Sequence, residues 1–237
     1  MYKLKYLVFI TTCFAGVYSA SFVNKCKSGD SKCVKESAAI LIPRFGDGIP
    51  ELGIEPVDPL FIKMSDASSP NLKLILTDYT LSGLKSCIPK KVKYDKSKSK
   101  IFLKILCSAQ LEGSYEIKGQ LLILPLEGRG PIHVTINKAE ISVEADLNEI
   151  EKDGVKYWNI KDYKQGYELK DKSVVVFDNL FGGNDVLASA AKEVIAQSGN
   201  EIILEVGSPI IADFVKGVVS VVNKMFHSIP ISELIYD

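Results

Sequence analysis

Histidine is almost missing from this chain: His133 and His227 are the only two among 237 residues. Zinc sites and hydrolytic triads draw heavily on histidine, so its scarcity argues against both. No Gly-x-Ser-x-Gly elbow, no phosphate-binding loop ending in Gly-Lys-Ser/Thr and no His-Glu-x-x-His occurs. Either histidine could serve as a general base, yet neither has a partner fixed by spacing, and a surface or satisfied histidine is the commoner outcome. The reading is of a protein that is not an enzyme, with no cofactor and no metal. An excess of one charge is also lacking, since 29 Lys and Arg offset 29 Asp and Glu. That balance excludes a binding surface built on net charge, and no nucleic-acid partner is expected. No Asn-x-Ser/Thr sequon is present, so N-glycosylation is not expected. Beyond residue 20 no run approaches the roughly 18 uninterrupted apolar residues of a spanning helix.

The first 20 residues, "MYKLKYLVFITTCFAGVYSA", have the layout of a secretory signal peptide. Lys3 and Lys5 form the basic start, Tyr6 to Val17 the apolar centre, and Ser19 and Ala20 the small-residue end. Cleavage is expected within two residues of Ser19, leaving one domain over residues 21–237 that is exported and slightly acidic. Cys13 leaves with the leader, and Cys26, Cys33, Cys87 and Cys107 remain. Four cysteines in an exported chain read as structural bridges, with three connectivities open. Cys26 and Cys33 flank the turn-rich "KSGDSK", which can bring them together. Cys87 and Cys107 are symmetric about residue 97 in "YDKSKSK", so a regular hairpin would set them opposite each other, whereas one bulge would leave two free thiols.

Along the chain, "VKESAAILIPRF" has a short helical look that Pro43 interrupts, and the proline-rich "GDGIPELGIEPVDPLFIKM" should run extended. Residues 72–177 read as long antiparallel strands. One hairpin turns at the lysine-rich stretch and a second at "EKDG"; a bulge is expected between Asn137 and Glu140. "LLILPL", within "EGSYEIKGQLLILPLEGRG", is apolar on both sides of what reads as one strand, with Pro125 and flanking glycines expected to bend it. The last third changes period. A helix follows Asn184 or Asp185 as N-cap and ends before Gly199, and a second, much longer helical stretch covers "EIILEVGSPIIADFVKGVVSVVNKMFHSIPISELI". The second is apolar around well over half its circumference and must be buried. The predicted fold class is therefore α+β: a long C-terminal helix wrapped by a strongly curved antiparallel β-sheet.

Aromatic side chains are the better binding candidates. Tyr115 sits in the most distinctive motif, Trp158 is the only tryptophan, and Phe214 and Phe226 lie on the long helix. Tyr and Trp each join an apolar body to one donor, which suits a ligand with a long chain and a single polar group. For any one of them plain core packing is the commoner role. "KKVKYDKSKSKIFLK" carries seven lysines against one aspartate. It reads either as a contact for an anionic membrane or a receptor, or as a solvated hairpin tip whose charges discourage edge pairing.

"CKSGDSKC", "GIPELGIEPVDPL", "GSYEIKGQLLILPLEGRG", "NLFGGN" and "IPISEL" follow one another in an order and spacing that resembles the insect takeout and haemolymph juvenile-hormone-binding protein family. The likeness spans essentially the whole mature chain. It implies an apolar tunnel enclosed between helix and sheet, as in tubular lipid-binding proteins, a Cys26–Cys33 bridge, and links to haemolymph, feeding and the circadian clock. No cysteine follows Cys107, unlike hormone-binding members proper, and the Cys87, Cys107 pair departs from the general pattern. Both departures favour the takeout-like branch. The resemblance implies a secreted carrier of a small hydrophobic ligand such as juvenile hormone, a terpenoid or a fatty-acid-like lipid. Tyr115, Leu122, Leu124, Trp158, Phe214, Val215, Val218, Val222 and Phe226 are the expected tunnel lining as a set. Transient membrane or receptor contact is expected, and no stable oligomer. The competing reading is a secreted signalling protein with a filled core that works through its lysine hairpin.

Overall fold

The computed structural model describes residues 23–236; the expected leader at residues 1–20, with Cys13, lies outside the described residues. In chain order the elements are β1 (Cys26–Lys27), α1 (Ser31–Asp47), β2 (Leu60–Asp66), β3 (Leu72–Ser82), β4 (Ile88–Asp95), β5 (Lys100–Leu121), β6 (Leu124–Lys152), β7 (Val155–Leu169) and β8 (Ser173–Phe177). The helices α2 (Asp185–Gln197), α3 (Gly199–Ser228) and α4 (Ile231–Leu234) follow, and β9 (Ile235–Tyr236) returns to pair with β1.

Two long strands organise the seven-stranded antiparallel sheet. β5 pairs with β6 along nearly its whole length, and each strand has different outer neighbours in its two halves. Towards one end, β3 lies beside β5 and β8 beside β6; towards the other, β4 lies beside β5 and β7 beside β6. Laid flat at about 3.3 Å per residue, the 29 residues of β6 would reach roughly 95 Å. The 30 residues of α3 span only about 45 Å. The strand covers the helix by twisting and coiling around it, as sheets do when bulges bend them. One such irregularity sits where predicted: the register shifts between Cys107↔Ala139 and Ala109↔Ile136, so Asn137 and Lys138 face Ser108. The "EKDG" turn is also in place, with Asp153 and Gly154 both at positive φ between Lys152 and Val155, as a tight hairpin of this twist requires.

"LLILPL" is not one strand. Leu121 pairs with Leu124 across the two-residue turn Leu122–Ile123, so the run is the closed end of the β5–β6 hairpin. Its double-sided apolar character is the sum of two strands folded back on each other: Leu121 and Leu126 are buried, while Ile123 at the tip is 80 % exposed. Pro125 is tolerated because β6 has only β5 beside it there; β8 joins at Ile132. The flanking glycines give room for crossing chains. A Cβ on Gly130 would lie 2.7 Å from the Asp178 carbonyl oxygen.

A second correction concerns α1, which runs through Pro43 to Asp47. Asp30 caps it by accepting from the Lys32 and Cys33 N–H groups. Pro43 removes one helical donor near the C-terminal end, where the loss is tolerated because Leu41 and Phe45 pack into the core. Both bridges exist: Cys26 with Cys33 and Cys87 with Cys107. Asn184 caps α2, accepting from the Leu187 N–H at 3.3 Å, and Gly199, expected past the end of α2, opens α3. The apolar core divides along α3 into two clusters. One gathers around Leu74, Phe177 and Ile202, the other around Phe45, Trp158 and Phe226.

Candidate ligand chambers along the long helix

One stripe of α3 faces inward from end to end. Ile203, Ile210 and Phe214 line a first chamber of about 100 Å³, and Phe214, Val218, Val222 and Phe226 line a second of about 230 Å³. Steps of seven and four residues keep neighbouring side chains on one face, which winds slowly around the helix. From Ile203 to Phe226 the stripe is about 35 Å long at 1.5 Å per residue. The inward row of β5 runs parallel to it: Ile101, Leu103 and Ile105 border the second chamber, then Cys107, Ala109 and Leu111 the first. β3 and β8 close the first chamber with residues such as Leu76 and Phe177, whereas α1 and β4 close the second with Phe45 and Tyr94.

No charged side chain lines either chamber. The first has the Tyr167 hydroxyl as its one side-chain polar atom besides the bridged sulfur, and that hydroxyl already donates to the Ile203 carbonyl at 3.0 Å. Water there would find too few partners to be held. The second chamber adds Asn24 and Ser37, and it carries Tyr94 and Trp158 at its wall. Trp158 is packed on both sides, against Tyr94 at 4.8 Å and edge-on to Phe226 at 5.4 Å. Such a space favours an apolar chain with one uncharged or headgroup-like polar end.

Of the residues expected at the lining, Trp158, Phe214, Val218, Val222 and Phe226 border the chambers. Tyr115, Leu122, Leu124 and Val215 lie outside both linings. Tyr115 stands behind Phe177, edge-on at 4.8 Å, and its hydroxyl donates to the Asp178 carbonyl at 2.7 Å. Burial, aided by the Asp178 carboxylate, pushes its hydroxyl up to about 12. It holds the crossing chain rather than a cavity wall. Leu122 belongs to the hairpin turn, where its N–H donates to the Glu205 carboxylate at 3.2 Å; Leu124 packs on the end of the core beside it. Val215 is buried in the first cluster. Sequence reasoning missed the contribution of α1, whose Val34, Ala38, Leu41 and Phe45 recur at helical spacing into the second chamber. That periodicity was legible, but reading Pro43 as a stop truncated it.

The histidines lie outside both chamber linings. His133 is exposed, 3.6 Å from the Asp178 carboxylate and 4.0 Å from that of Glu112. His227 contacts the Asn159 side-chain oxygen at 2.9 Å, and burial, then the Lys152 ammonium, holds its imidazole below the usual value. Among the described residues no group of three His, Cys, Asp or Glu is placed to hold a metal ion. The lysine hairpin is partly committed: Lys100 reaches Glu144 and Asp146 on β6, Lys104 reaches Glu140, and Lys93 lies 3.8 Å from Asp95. No helix among the described residues is long and apolar enough to cross a membrane.

A long helix that lays its apolar face against a coiled, unclosed antiparallel sheet, with apolar space between them, defines a tubular protein of the kind that binds hydrophobic ligands. The chain belongs to the haemolymph juvenile hormone binding protein (JHBP) family, whose model matches residues 6–236. It is similar in structure to Takeout 1 of Epiphyas postvittana, with a TM-score of 0.87 and 26% identity, covering 91% of this chain and all of that one. It is 28% identical over 226 residues to the circadian clock-controlled protein daywake of Drosophila melanogaster, covering 89% of this chain and 86% of that protein. A shorter match, 26% over 113 residues, joins it to a putative beta-carotene-binding protein of Schistocerca gregaria, covering 46% of this chain and 45% of that protein.

Proposed function

We propose that this protein is an extracellular carrier that encloses one small hydrophobic molecule, an extended fatty-acid-like or isoprenoid chain with a single polar end. The observation that carries the reading is the unbroken apolar stripe of α3 facing the inward row of β5, without a charge on either side. At about 25 cal/mol per Å² of apolar surface, a long chain gains ample affinity from such walls. The polar end lies in the second chamber, where Asn24 and Ser37 offer hydrogen-bonding groups. The two bridges suit export after removal of residues 1–20. A terpenoid such as juvenile hormone and a fatty acid both fit these walls by their apolar chains, but no lining cation offsets a buried carboxylate, so a fatty acid enters as its neutral acid.

Native mass spectrometry of protein secreted from an insect-cell host tests this reading. A discrete additional mass, released on denaturation and identified as a lipid, is the expected result. A bare protein mass that persists after incubation with a lipid extract would refute the carrier and favour a signalling protein.

A further inference from the structure

The two chambers meet at a built partition. Leu84 and Phe214 are the residues that line both, and the Cys87–Cys107 bridge straddles the boundary, with Cys87 at the wall of the second chamber and Cys107 at that of the first. The boundary coincides with the seam in the sheet, where β4 gives way to β3 beside β5 and where Ser108 faces Asn137 and Lys138.

Leu84 opens a single turn of 3-10 helix, Leu84–Ser86, that crosses this seam, and three independent contacts fix it there. Gly83, at φ +92°, sits so close to β5 that a Cβ would lie 2.6 Å from the Ser108 carbonyl oxygen. The Asp58 carboxylate accepts from the Gly83 and Lys85 N–H groups, each at 2.9 Å. The bridge then ties the residue after the turn to β5. Phe214 approaches from α3 on the other side and is buried like Leu84. The backbone that carries Leu84 is therefore fixed on one wall, and Phe214 is the α3 residue that borders both chambers with it.

Resting on the carrier reading, we infer that Leu84 and Phe214 form a septum that sets the length of the ligand: a chain fills the larger second chamber and ends at the septum. Phe214 is the movable half, because it is held by packing alone. Leu84 is the fixed half, because its turn is bonded to β5 and to Asp58. A longer chain enters the first chamber only by displacing Phe214.

Calorimetric titration with straight-chain saturated fatty acids of increasing length tests the septum. In the wild-type protein the affinity should rise about fourfold per added methylene, the factor that corresponds to roughly 0.8 kcal/mol, and stop rising at one chain length. Phe214→Ala should move that break to longer chains, and Leu84→Ala should do the same. Phe214→Leu keeps an apolar core side chain and should move it less, which guards against a variant that fails to fold. A break that stays in place in all three variants, or a wild-type affinity that climbs with no break, overturns the septum and leaves the carrier standing. No uptake of any acid by any form overturns the septum, and the carrier falls with it only if the native mass spectrum is also bare.

Discussion

Replacing Cys87 and Cys107 together by alanine isolates what the second bridge contributes to the fold. The cysteines are 20 residues apart, so the bridge closes a loop of that size in the unfolded chain. Chain-entropy arithmetic for such a loop gives about 3 kcal/mol at 25 °C, and for the 7-residue separation of Cys26 and Cys33 about 2.4 kcal/mol. Both sulfurs of the longer bridge are buried, so their removal adds a packing loss of up to about 1 kcal/mol. Residual hairpin structure around Lys96 to Ser99 in the unfolded chain works the other way and trims the entropic part. The expected net cost is about 3 kcal/mol. Urea unfolding of ligand-free protein reads it directly: with a slope near 3 kcal/mol per molar, the midpoint falls by about 1 M. A fall of less than a third of that at unchanged slope would refute the account. So would a larger cost for removing Cys26–Cys33 than for removing Cys87–Cys107.

Three further outcomes follow from the same structure. Trp158 is the single tryptophan and lines the second chamber, so a brominated fatty acid should quench most of the protein's tryptophan fluorescence saturably; unquenched emission at full occupancy would place the chain elsewhere. Gly113→Ala puts a Cβ 2.3 Å from that of Tyr79 and 2.7 Å from its Cα, so one strand must move and stability should fall by about 2–3 kcal/mol; thermal unfolding within 1 °C of wild type would contradict the packing of β3 on β5. His227 is held below its ordinary value of 6.5, so the folded state disfavours its proton. Its contribution to stability is full above that pH and is lost as pH falls through the lowered value. Stability curves should therefore decline on the acid side of 6.5, and His227→Asn should flatten that decline.

Much of this arrangement was written in local signals. The long helix and the curved sheet against it were legible in the apolar set from Ile202 to Phe226. Burial on all sides was overread: Glu201, Glu205, Ser208, Lys216, Ser220 and Lys224 form an exposed stripe, and the sheet covers only the apolar face. The Asp153–Gly154 turn and the shift near Asn137 were legible because turn chemistry and alternating parity act over a few residues. "LLILPL" misled for a physical reason. A two-residue turn normally carries Asn-Gly or a leading Gly, and here Leu122 takes φ of +52° with an isoleucine after it. The turn is held instead by the pairing of Leu121 with Leu124 and by Glu205 reaching the Leu122 N–H, neither of which is a neighbour-to-neighbour signal. Tyr115 misled in the same way: a distinctive motif marked it, but its motif serves the crossing of residues 178–180 over β6. The contribution of α1 was obscured because proline tolerance depends on where in a helix the missing donor falls. The division into two chambers falls where Leu84 and Phe214, 130 positions apart in sequence, line both. No local pattern announces that.

The order of elements also governs how the molecule is made. The sheet is complete by Phe177, whereas α3 begins at Gly199, so a growing chain synthesises its wrapper before the core that the wrapper encloses. Until α3 arrives, the inner row of β5 and its neighbours faces water or another molecule. Such exposed apolar strand faces are where nascent chains aggregate, and holding chaperones guard against that. An apolar ligand bound to the same face would shield it until α3 closes over it.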